Sequence, residues 1–213
     1  TAAITKQLDA VWAAGTAAGG RFPAGAPPAT CDTYHVFVIQ NPTTRVVDVG
    51  FDTSVTAANI PTGFTKKRRI GSVIWDGSTI VGFVQDGDLF QRTTPILDWS
   101  HTNPGTAAVT VSLWVPTDVN VRAQMNAAYG SPGSAAIGRC YLSDLAITDA
   151  APSQTAAPLF NSGHDDSAGL VEGGKIEVRT NTSGQIRARA DTSAASHVLR
   201  IATLGWLDRR GRG

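Results

Sequence analysis

Val109, Val111, Leu113 and Val115 alternate with Thr110, Ser112 and Trp114 before Pro116 stops the run. A side-chain period of two is the period of a β-strand, so this stretch buries one face and leaves the other wet. The same reading recurs along the chain. Residues 34–40 (YHVFVIQ) and 46–52 (VVDVGFD) are dense strands on either side of an Asn-Pro-Thr-Thr turn. Residues 69–75 and 79–85 read as a hairpin around Asp76-Gly77-Ser78, and Asp86-Gly87-Asp88 as a further tight turn. Residues 119–125 (VNVRAQM) read as a partner for 109–115, and 137–147 as another strand. In 175–190, Ile176 and Val178 oppose Glu177 and Arg179, and Ile186, Ala188 and Ala190 oppose Gln185, Arg187 and Arg189. That predicts a second hairpin, turned at Asn-Thr-Ser-Gly, with a basic outer face on which Glu177 pairs across strands. Residues 197–208 form a last strand.

Composition agrees with strands. Of 17 acidic residues only Glu172 and Glu177 are Glu, and Lys is scarce, so the usual surface residues of helices are missing. Asp, together with 22 Gly and 11 Pro, suits turns. Residues 1–14 are the one helix candidate, with Ile4, Leu8, Val11 and Trp12 at helical spacing; Leu8, Ala10 and Trp12 also alternate, as a strand would. The expected fold is all-β: an antiparallel β-sandwich of jelly-roll type with at most one short N-terminal helix. It forms a single domain over 1–213, with 1–33 as an arm and 34–213 as the core. Residues 149–169 read as a long surface loop.

Several function classes lack support. The net charge is only +1, far from the basic excess of a dedicated nucleic-acid binder. No apolar run approaches the ~18–20 residues of a membrane-crossing helix. No N-terminal stretch reads as a secretory leader, and a chain opening at Thr1 reads as having lost an initiator Met or as part of a longer product. Cys31 and Cys140 lack metal or redox spacing and read as reduced thiols, although one disulfide would use both. The chain has no nucleophile elbow, zinc-protease helix, P-loop or dinucleotide fingerprint. His35, His101, His164 and His197 are scattered. The expectation is therefore no catalytic residues, no metal and no cofactor. His164-Asp165-Asp166 and Asp86-Gly87-Asp88 are carboxylate-rich, but the first reads as a solvated loop and the second as a plain turn. Among the tryptophans, Trp75 and Trp114 are candidates for a glycan or subunit contact.

The run Lys66-Lys67-Arg68-Arg69 stands at the entry to an apolar strand. Lys66 and Lys67 read as solvated loop residues. In a regular strand Arg68 and Arg69 face opposite sides of the sheet, so one of them lies against the protein. There it would form a structural ion pair with Asp86, Asp88 or a carboxylate on a neighbouring chain.

These same residues carry a resemblance. Pro61, Gly63-Phe64-Thr65, Arg68-Arg69-Ile70-Gly71-Ser72, Asp76-Gly77-Ser78 and Phe83-Val84-Gln85-Asp86-Gly87-Asp88-Leu89-Phe90 resemble a segment of tailed-bacteriophage structural proteins. ITKQLDAVWAAGTAAGG, TYHVFVI and TLGWLDRRGR resemble the same proteins. Trp75 and the compact Asp-Gly-Ser-Thr turn depart from the pattern, and no long fibrous N-terminal shaft is evident. The resemblance implies a non-enzymatic virion component, a tail-fibre or tail-tip domain of host-recognition type. It would be homotrimeric, attached to other virion proteins, and in contact with a host surface glycan. Neither nucleic acid nor a membrane is an expected partner. Two alternatives stay open: a capsid decoration or head-fibre protein, and a carbohydrate-binding module or depolymerase.

Overall fold

The computed structural model describes residues 3–131, 138–153, 155 and 171–210. Among these there is no helix, and the chain is an all-β protein built from thirteen strands in largely antiparallel sheets, of the β-sandwich type. The contacts gather it into two compact units. The first is Thr1–Gly82 with Asp208–Gly213, the second Phe83–Leu207.

The first unit carries one five-stranded sheet. Its strands are β1 (Lys6–Val11), β2 (Ala18–Arg21), β3 (Asp32–Gln40), β4 (Val47–Asp52) and β5 (Lys66–Trp75), in the order β1-β2-β4-β3-β5. The helix expected over 1–14 is strand β1, and residues 1–33, expected as an arm, supply two strands to this sheet. An isolated helix this short is marginal in water. The period-two set supplies what a strand needs instead: Leu8 is buried and Trp12 packs against the core. A buried ion pair fixes the strand in place, because Lys6 Nζ lies 3.0 Å from Asp48 Oδ2. The Gly15 amide donates to the same carboxylate oxygen at 3.0 Å, so the buried charge is well satisfied.

β3 runs antiparallel to both β4 and β5 and sends Phe37 and Ile39 into a core with Phe22, Ala57 and Phe64. Trp12 meets Phe64 edge-on at 5.2 Å, an arrangement the ring quadrupoles favour. The Phe22 ring lies so close over Gly50 that a Cβ there would sit 2.1 Å from Cε1. Only glycine admits that packing.

The second unit has two sheets. Its strands are β6 (Phe83–Asp86), β7 (Leu89–Thr102), β8 (Val109–Ser112), β9 (Arg122–Gly130), β10 (Cys140–Ser143), β11 (Val171–Arg179), β12 (Gln185–Ala190) and β13 (Val198–Leu207). They form a three-stranded sheet, β10-β12-β8, and a five-stranded one, β11-β9-β13-β7-β6. Val111, Leu113 and Val115 are buried, as their alternation requires. Ile186, Ala188 and Leu142 join them from the smaller sheet, and Met125, Ala127, Leu199 and Ile201 are buried on the larger one.

Three pairings differ from expectation. β8 and β9 lie in different sheets, as do β11 and β12, so neither couple is a hairpin. Glu177 does act across strands, accepting from Gln124 Nε2 at 2.7 Å, but its neighbour is β9. Beyond the Asp76 turn only the single bridge Trp75–Ile80 forms, and β6 pairs with β7. The turn itself is as read: Asp76 Oδ1 accepts from the Ser78 amide and the Thr79 amide, both at 2.8 Å. Gly77, at φ 103°, supplies the left-handed residue between them.

Candidate anion-binding cavity

β5 is not a regular strand. Its register against β3 passes from Phe37–Arg69 to Val36–Gly71, so Ile70 is an extra residue with no partner of its own. A bulge of this kind kinks a strand and re-aims the side chains beside it. The bulge lies just beyond the two arginines: Arg68 opposes Val38 and Arg69 opposes Phe37 in unbroken register, with Arg68 exposed and Arg69 turned to Ser72 and Asp208. Arg68, Arg69 and Ile70 all line one cavity of about 390 Å³, together with Val38 and Arg210.

Each arginine in that wall is held differently. Arg69 makes a two-pronged ion pair with Asp208: Nη1 donates to Oδ2, and Nη2 donates to Oδ1 at 2.8 Å. The pair is largely dry, with side-chain exposures of 12% for Arg69 and 2% for Asp208. Arg69 Nη1 also donates to Ser72 Oγ at 3.0 Å, and Ser72 Oγ lies 2.9 Å from His35 Nδ1. Arg210 is positioned from the backbone. Its amide donates to Asp208 Oδ1 at 2.8 Å, and its Nη1 donates to the Ile70 carbonyl at 3.4 Å. Its φ of 54° puts it in the left-handed region that non-glycine residues seldom occupy. Arg68 is exposed and makes no ion pair among the described residues.

Ser72, His35 and Asp208 bring together the residue types of a hydrolase triad, but their connections are those of a structural network. A working triad places the carboxylate on the histidine so that it orients the general base. In this protein Asp208 bonds Arg69, with Ser72 Oγ 3.5 Å from its Oδ2, and the serine hydroxyl lies against His35 Nδ1. Ser72 and His35 are both completely buried, so no substrate atom reaches the hydroxyl. The arrangement locks β5 and β3 to the residues that follow Leu207.

The other residues singled out in the sequence lie elsewhere. The carboxylate partner of Arg69 is Asp208, not Asp86 or Asp88; Asp86 is exposed at the end of β6, and Asp88 is half-buried in the turn that follows. Trp75 is buried, and its Nε1 donates to the Pro28 carbonyl at 2.9 Å, so the ring is not displayed for a ligand. Trp114 is half-buried with the Arg92 guanidinium 5.1 Å over its ring. Its amide donates at 2.6 Å to Asp98, the residue that bulges β7 against β13. Asp98 also accepts from the Thr203 amide, at 2.7 Å; even so, burial raises its carboxyl above the ordinary range.

Cys31 is an exposed thiol and Cys140 a buried one; desolvation pushes the Cys140 thiol up to about 12. Among the histidines, His101 stacks on Trp99 at 5.0 Å, and His197 is buried against Tyr129 with ring centroids 5.3 Å apart. No group of three or more potential metal ligands occurs among the described residues. His164, Asp165 and Asp166 lie outside them.

Sequence reasoning found two of the cavity's five residues, Arg68 and Arg69, and missed Val38, Ile70, Arg210 and the partner Asp208. One local signal was present: Gly71 interrupts an apolar strand, as glycine does beside a bulge. Comparison of the chain with protein-family models, with curated proteins and with solved structures finds no match.

Proposed function

We propose that this protein is a non-enzymatic structural component of a bacteriophage virion, a tail-fibre or tail-tip part that assembles as a homotrimer beside other virion proteins. One observation carries the reading. Two separate stretches that carry the resemblance, Arg68-Arg69-Ile70-Gly71-Ser72 and Leu207-Asp208-Arg209-Arg210, meet in space through the Arg69–Asp208 pair. Their shared pattern thus has one physical purpose, to hold the first sheet to the chain that returns to it. The Ser-His-Asp network is wired for support and not for proton relay, which favours an assembly part over a depolymerase. Trp75 is committed to Pro28, so it offers no sugar platform.

Mass spectrometry and density mapping of purified particles test the reading, alongside light scattering of the isolated chain. Tail-associated density in three copies per fibre supports it. Density at the capsid surface would instead identify a decoration or head-fibre protein. A chain that is absent from particles and monomeric at every concentration refutes the proposal.

A further inference from the structure

The cavity beside the β5 bulge has the chemistry of a ligand site. Three arginines are among the residues that line it, two of them consecutive in β5 and the third Arg210. Gathering like charges around one hollow costs energy. The bulge at Ile70 sits beside both strand arginines, and Arg210 holds a left-handed conformation at φ 54°. Strain of this kind persists where surrounding structure over-determines it, and it concentrates at binding sites. Asp208 already engages Arg69, so Arg68, exposed on the rim, is the group whose donors face outward.

The guanidinium fork fits the planar carboxylate and the phosphate group, binding two oxygens at once. Val38 and Ile70, both half-buried, give the same cavity an apolar wall. A volume of about 390 Å³ falls in the ~300–1,000 Å³ range of small-molecule pockets and is larger than an inorganic ion needs. The geometry points to a site for a small organic oxyanion, a carboxylate or phosphate on a compact body with one apolar face, such as a sugar acid or a sugar phosphate. Arg68 supplies the outer fork, Arg69 is held in place by Asp208, and Val38 and Ile70 take the apolar face. The site is independent of where the chain stands in a particle.

Isothermal titration of the full chain at low salt, with glucuronate, glucose 6-phosphate and neutral glucose as probes, tests this. At least one anionic probe should bind saturably at one site per chain while glucose does not, and comparison of the two anions tells carboxylate from phosphate. Arg68→Gln should weaken that binding by about tenfold or more, since it removes a charge-assisted fork. Arg68→Lys, which keeps the charge and loses the fork, should fall between. Arg209→Gln, an exposed neighbour outside the cavity, should bind like the parent. Arg68 is exposed, so the melting temperature of each variant should match the parent and separate lost binding from lost folding. Three results would overturn the assignment: no saturation with either anion, equal binding of glucose, or equal losses in the Arg68 and Arg209 variants. Tighter, steeply salt-dependent binding of a DNA duplex would overturn it as well, by making the charge a nucleic-acid surface.

Discussion

Replacing Arg69 by Met tests the energetic centre of the first unit. Met keeps much of the stem's volume and removes the charge and every donor. The change breaks two bonds to Asp208 and one to Ser72, and leaves a carboxylate that is 2% exposed with the Arg210 amide at 2.8 Å and the Ser72 hydroxyl at 3.5 Å still donating to it. Removing one partner of a buried ion pair typically costs ~3–5 kcal/mol, most of it from the charge left behind. For a chain of about 150–250 residues each kcal/mol moves Tm by roughly 2–4 °C, so the expected fall is roughly 6–20 °C in calorimetry. The double variant Arg69→Met/Asp208→Leu should regain most of that loss, short of the ~1 kcal/mol carried by the Arg210 amide bond. A single variant that melts within about 2 °C of the parent, or a double variant no more stable than the single one, would refute the reasoning. The pair would then be a surface contact and not the lock between β5 and Asp208.

Three further outcomes are expected. Thiol titration with an aromatic disulfide reagent should modify Cys31 quickly in the native protein and Cys140 only in denaturant, because burial holds the Cys140 thiol up at about 12. Desolvation depresses the folded-state pKa of His197 below its ordinary value near 6.5. The unfolded chain therefore takes the proton first, and stability should fall as pH drops through 6.5 toward the folded value; in His197→Phe the urea midpoint at pH 5 should lie closer to that at pH 7 than it does in the parent. Hydrogen bonds from the Thr79 and Ser78 amides lower the Asp76 carboxyl below its ordinary value. Its contribution is present above the unfolded pKa and lost as pH falls through the folded one, so NMR titration should find it below the usual Asp range, with Asp76→Asn retaining the turn and Asp76→Ala losing it.

The fold class was legible because it rests on local patterns. The alternation of residues 109–115 and the scarcity of Glu and Lys need no knowledge of the rest of the chain. Pairings were less legible, because β11 and β12 carry the signature of a hairpin whether the turn folds back within a sheet or crosses to another. The N-terminal segment satisfied both periods, and its partner strand and the buried Lys6–Asp48 pair settled the choice. The carboxylate for Arg69 was out of reach for a different reason. Asp208 lies 139 positions away, and nothing near Arg69 announces it. The alternation at Arg68 and Arg69 was legible, whereas the bulge after them depends on a single unpaired residue, Ile70, that no periodicity marks.

The first unit is interrupted: the chain leaves it after Gly82 and re-enters at Asp208. That sequence order imposes a schedule on synthesis. At roughly 5–20 residues per second a ribosome needs about 7–30 s to cover the 139 positions from Arg69 to Asp208. Throughout that interval β5 carries an arginine awaiting its counter-ion, and the buried Ser72–His35 contact lacks its third member. The earliest strands can therefore complete their network only after the whole of the inserted unit has been made. A chain cut short anywhere before Asp208 should remain recognisably unfinished to proteases and chaperones, which makes this one carboxylate a marker of completed translation through that point.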